Sequence, residues 1–76
     1  MLENLQGLRR DRNLTQSDMA RLLNVHQTTY SAYEQEKLNI PIPALNQLAD
    51  LFQTSIDYIL GHTDCPVPYP RKMSEG

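Results

Sequence analysis

The stretch Thr15 to Glu34, TQSDMARLLNVHQTTYSAYE, decides the fold. Thr15 and Asp18 stand three apart at its start, the spacing of a capping box. The threonine hydroxyl reaches an orphan N–H of the first helical turn while the carboxylate reaches back. A helix from about Gln16 to Leu23 therefore starts cleanly, and Met19, Leu22 and Leu23 follow the i, i+3, i+4 rule of an apolar face. Asn24 falls where that helix ends, and asparagine tolerates the left-handed conformation nearly as well as glycine. The three-residue turn Asn24-Val25-His26 has an apolar centre, as a turn folded onto a core requires. A second short helix runs from about Gln27 to Gln35, with Tyr30 and Tyr33 on one face, both read as core. Gln27, Thr28, Ser31 and Ala32 occupy the opposite face, with Thr29 beside them. Ala20 is small and lets the two helices cross closely. A capped helix, a short turn and a second helix have the length pattern of a helix-turn-helix.

Outward from this stretch the apolar pattern stays helical. Leu2, Leu5 and Leu8 mark an opening helix from about Leu2 to Arg12. Leu45, Leu48, Ala49, Leu51 and Phe52 mark another, with Pro43 suited to its first turn. Ser55 serves as N-cap for a last helix that carries Ile56 and Ile59, ends at Leu60 and is closed by Gly61. No segment alternates strictly as a half-buried strand does. The expected fold is all-α, a compact five-helix bundle over residues 1–61. Residues 62–76 hold Pro66, Pro68 and Pro70 and no helical period, which predicts a flexible tail, partly extended as polyproline II.

Composition excludes several functions. At 76 residues the chain is expected to form one domain. The lone Cys65 makes no internal disulfide, which points to a reducing, cytoplasmic setting. No apolar run approaches the roughly 20 residues that span a bilayer, and no signal-peptide core follows Met1. No phosphate-binding loop, dinucleotide fingerprint, metalloprotease motif or nucleophile elbow occurs, so no enzyme activity and no cofactor are expected. His62 and Cys65 have an H-x-x-C spacing but lack the second ligand pair of a zinc site.

The run Leu14-Thr15-Gln16-Ser17-Asp18-Met19-Ala20 closely resembles the L-T-Q-x-x-L-A signature of Cro-like (Xre-type) helix-turn-helix regulators, relatives of the lambdoid phage repressors. The resemblance continues through Val25, Thr28 to Ser31, Tyr33-Glu34, Lys37, Pro41, Leu45, Leu48-Ala49, Leu51 and Ile56 to Leu60, covering roughly residues 2 to 61. It implies a lambda-repressor-like DNA-binding domain. In such proteins the position of Gln16 bonds a DNA phosphate, and those of Gln27, Thr28 and Ala32 face base edges. The positions of His26, Thr29 and Ser31 flank them or touch the backbone. The segment from Gln35 to Asn39 approaches a phosphate, with Lys37 as its cation. Arg9 and Glu34 match an ion pair that orients the second helix of the motif. The chain departs from the pattern at Asn24 and Glu36, where glycine is usual, at His26, where serine or threonine caps the helix, and at Ala32, which offers no hydrogen bond.

The resemblance implies a transcriptional regulator, read first as a repressor, that binds a palindromic double-stranded operator as a homodimer. A DNA-binding antitoxin with a toxin as protein partner and the controller of a restriction–modification operon are alternatives within the same family. A protein-interaction module that has lost DNA binding is an alternative of another class, favoured by the pI of about 5.5 and by Glu36. The net charge of −2 opposes nucleic acid at first sight, because phosphate binding rests on Lys and Arg. Its distribution weakens the objection. Leu22 to Tyr33 carries no formal charge but is rich in amides and hydroxyls, Glu34 is expected to pair with Arg9, and Asp18 and Asp57 serve helix starts.

Overall fold

A computed structural model describes residues 1–66. Five helices follow one another: α1 (Glu3–Asp11), α2 (Gln16–Leu23), α3 (Gln27–Glu34), α4 (Ile42–Phe52) and α5 (Ile56–Ile59). There is no strand among the described residues.

Local chemistry sets most of the ends. Thr15 Oγ1 accepts from the Asp18 N–H at 3.0 Å and the Thr15 N–H donates to Asp18 Oδ2 at 2.9 Å, so α2 opens with the complete capping box. The Thr15 N–H bond, aided by the Thr15 side chain, also holds the Asp18 carboxyl below the usual carboxylate range. Asn24 closes α2 in the left-handed conformation at φ 59°, and the Val25 N–H then reaches the Ala20 carbonyl at 2.9 Å. Gln53 (φ 51°) ends α4 in the same way, with the Thr54 N–H on the Ala49 carbonyl at 3.0 Å. Ser55 Oγ accepts from the Tyr58 N–H at 3.0 Å and starts α5. Gly61, at φ 80°, supplies the turn after it.

Other boundaries move by a residue. The N-cap of α1 is Leu2, so the helix begins at Glu3 rather than at Leu2, and it ends at Asp11 rather than Arg12. α3 stops at Glu34 and α5 at Ile59, each one residue short of the expected Gln35 and Leu60. α4 starts at Ile42, which puts Pro43 inside the first turn, where its missing N–H costs no hydrogen bond.

Each helix contributes one fully buried hydrophobic side chain to a common core: Leu5, Met19, Tyr30, Leu48 and Ile59. Side chains of this size each contribute about 1.5–3 kcal/mol on full burial. Val25 and Leu23 pack against that core, as a helix-turn-helix needs if α3 is to be held at a fixed angle on α2. The Leu2 N–H donates to the Glu34 carbonyl at 2.7 Å and ties the start of α1 to the end of α3. Beyond α5 the His62 N–H reaches the Asp57 carbonyl at 2.7 Å, and Thr54 Oγ1 donates to the Pro66 carbonyl at 2.5 Å. The tail expected from His62 is therefore held against the bundle as far as Pro66. Its remainder lies outside the described residues.

Candidate nucleic-acid interface

α3 is anchored by one face and open on the other. Tyr30, Tyr33 and Glu34 are buried, and the two tyrosine rings meet edge to face with centroids 6.4 Å apart. Gln27 and Thr28 are exposed, while Thr29, Ser31 and Ala32 are half-buried. The period that put Tyr30 and Tyr33 inside thus leaves a neutral row of amide and hydroxyl groups facing water. His26 stands at the N-cap with extended backbone and makes no side-chain capping bond. The first N–H groups of α3 are therefore not satisfied by a capping side chain and remain available to an acceptor.

The buried anchor is a single carboxylate shared by three helices. Glu34 has no exposed surface. Its Oε2 accepts from Arg9 Nε at 2.7 Å and from the Tyr30 hydroxyl at 2.6 Å. Its Oε1 accepts from Gln16 Nε2 at 3.0 Å and from Arg9 Nη2 at 3.3 Å. Arg9 Nη1 donates to the Leu14 carbonyl at 3.0 Å, which fixes the link between α1 and α2. Burial alone pushes the Glu34 carboxyl up. Hydrogen bonds from Arg9, Tyr30 and Gln16, together with the guanidinium charge, outweigh it and hold the group below the usual range. The bond to Glu34 raises the Arg9 guanidinium correspondingly, and burial, reinforced by Glu34, raises the Tyr30 hydroxyl.

Gln16 is therefore already engaged inside the protein, which the reading of the sequence did not anticipate. The Tyr30 hydroxyl was missed as well, because the residue was read as core alone. One signal for it existed: Tyr30 and Glu34 stand four apart and so share a helix face.

The segment after α3 turns on Glu36. Its φ of 62° is left-handed, and this is a position where the family pattern has glycine. The Lys37 N–H bonds the Ala32 carbonyl at 2.9 Å, and Lys37 and Asn39 are both exposed. The Glu36 carboxylate meets the ammonium of Met1 at 2.5 Å, an exposed pair beside the same turn. Ser31 Oγ accepts from Gln35 Nε2 at 3.3 Å. Elsewhere the cations are partly committed. Arg12 lies over the Phe52 ring, 5.4 Å from its centroid, and Arg21 stands 3.8 Å from Asp18.

A helix-turn-helix family profile matches residues 5–59. The chain belongs to the Cro-like helix-turn-helix family. It is 38% identical over 66 residues to an uncharacterized HTH-type transcriptional regulator, YobD, of Bacillus subtilis (strain 168), covering 87% of this chain and 59% of that protein. It is also 38% identical over 60 residues to the HTH-type transcriptional regulator AnsR of the same organism, covering 79% of this chain and 52% of that one. The chain thus spans little more than half the length of these relatives. No solved structure matches it at a significant level. The family is one of regulator domains rather than of enzymes, and no helix among the described residues is long and apolar enough to cross a membrane.

Proposed function

We propose that this chain is a cytoplasmic transcriptional regulator that binds double-stranded DNA sequence-specifically and acts first of all as a repressor. The observation that carries the reading is the division of α3 into a buried, cross-linked face and an exposed row of amides and hydroxyls. A helix presented this way fits the major groove and reads base edges from its N-terminal residues. Gln27 is suited to bond adenine at N6 and N7, and the Thr28 methyl to pack on a thymine methyl. Ala32 adds apolar contact, while His26, Thr29 and Ser31 flank these readers. Gln16, Lys37 and Asn39 meet the phosphate backbone on either side. Both relatives carry names of HTH-type transcriptional regulators, which supports the same reading. It requires no cofactor, metal or catalytic group.

A homodimer on a palindromic operator places two copies of α3 about 34 Å apart, one turn of the duplex. A dimer seam on α5 is less suited to this role, since Ile59 is spent in the core. Leu38 before α4 and Ile42 at its first position, exposed by 49% and 70%, offer the better apolar surface. Selection of bound sites from a random duplex pool tests the proposal. Enrichment of a palindrome with half-site centres about 10 base pairs apart is the expected result. A pool that stays random after repeated rounds contradicts it.

A further inference from the structure

We infer that Gln16 bridges the DNA backbone and the buried Glu34 carboxylate, and so sets discrimination between sequences although it touches no base. The inference rests on the reading of α3 as the recognition helix and adds a role that a simple phosphate contact does not have.

Gln16 is the first residue of α2, and Glu34 is the last of α3. The Gln16 amide carries two N–H donors, and one of them goes to Glu34 Oε1. Gln16 is only half-buried, so its second N–H can meet an acceptor at the positive end of the α2 dipole, where a phosphate is favoured. Phosphate, Gln16 and Glu34 then form one chain of hydrogen bonds that ends on α3 itself. The carboxylate has about four lone-pair sites and accepts four donors, so Gln16 completes its set. Registration of the protein on the backbone is passed directly to the angle at which α3 meets the bases. Tyr30 props the same carboxylate from Oε2 and is fully buried, so its hydroxyl is a positioning group with no DNA contact of its own.

An ordinary phosphate contact weakens binding nearly uniformly across sequences when it is removed. The bridge behaves differently, because its loss frees α3 to meet wrong sequences as readily as right ones. The test compares the intact protein with Gln16→Ala and Tyr30→Phe by fluorescence anisotropy, on the duplex enriched from the random pool and on a scrambled duplex of equal length. The ratio of the two affinities should fall on the order of tenfold in each variant, as expected for one hydrogen bond to a charged group. A loss of folded protein lowers both affinities by the same factor and leaves the ratio unchanged, so a merely structural effect does not imitate this result. Equal weakening on both duplexes in Gln16→Ala overturns the bridge, as does a Tyr30→Phe ratio equal to that of the intact protein. Failure of the intact protein itself to prefer the enriched duplex refutes the reading of α3 on which the bridge depends.

Discussion

Replacing Arg9 by methionine should invert the pH dependence that Glu34 gives to folding. The two side chains are buried together, with 8% and 0% of their residues exposed, and are joined by bonds of 2.7 and 3.3 Å. Removing one partner of such a pair leaves a buried charge without its counterion and costs about 3–5 kcal/mol. A chain of 76 residues has a total stability of roughly 4–11 kcal/mol, so the loss removes a large share of it at neutral pH. In the intact protein the Glu34 carboxyl sits below its ordinary value of 4.5. Its contribution is therefore fully present above that value and is lost as pH falls toward the depressed one. Arg9→Met removes the largest opposing bond and the guanidinium charge, so burial should prevail over the remaining Tyr30 and Gln16 bonds and move the folded-state value above the ordinary one. Stability is then highest in acid and is lost as pH rises through the range above 4.5. Urea titrations of both proteins between pH 4 and 7 measure this directly, because the other carboxyls cancel in the difference. The penalty should be largest at pH 7 and shrink on acidification. A penalty equal at pH 7 and pH 4 would refute the account of the buried carboxylate.

Three further outcomes follow from particular residues. Thr15→Ala removes the hydroxyl that starts α2 and should cost about 1 kcal/mol in urea unfolding, with the m-value unchanged. Glu36→Gly relieves a left-handed residue at about 1–2 kcal/mol, offset by about 0.4–1 kcal/mol of added unfolded-state entropy. It should raise the melting temperature slightly and strengthen operator binding by removing an anion beside the Lys37 turn; weaker binding would contradict the placement of that turn on the backbone. Gln27→Ala should cost roughly 1–3 kcal/mol of specific binding and relax preference at one base position, read from titrations on singly substituted duplexes.

Much of the fold was legible because its punctuation is local. Thr15, Asp18 and Asn24 delimit α2 by bonds that reach no further than five residues, and the expected span agrees with the observed one. α1 lacks a capping side chain at its start and differed by a residue at each end, while α3 and α5, with no side chain to fix their last turns, ended a residue early. The open face of α3 was equally legible, since helical period alone separates Gln27 and Thr28 from Tyr30 and Tyr33. The environment of Gln16 was not. It depends on how α1, α2 and α3 converge on one carboxylate, a property of tertiary packing that no spacing within a single helix encodes. The tyrosine hydroxyl is a different case: its partner stands four residues away on the same face of α3, a legible spacing, but its aromatic body already sufficed to explain its place in the core.

The most direct test of the central claim is the affinity of the intact protein for the enriched duplex against a scrambled one at physiological salt. A neutral reading face with few free cations predicts weak non-specific binding, so the preference should reach at least about a thousandfold. Equal affinity for the two duplexes, or binding to neither, would contradict sequence-specific recognition by α3 and favour a protein-interaction module on the same fold.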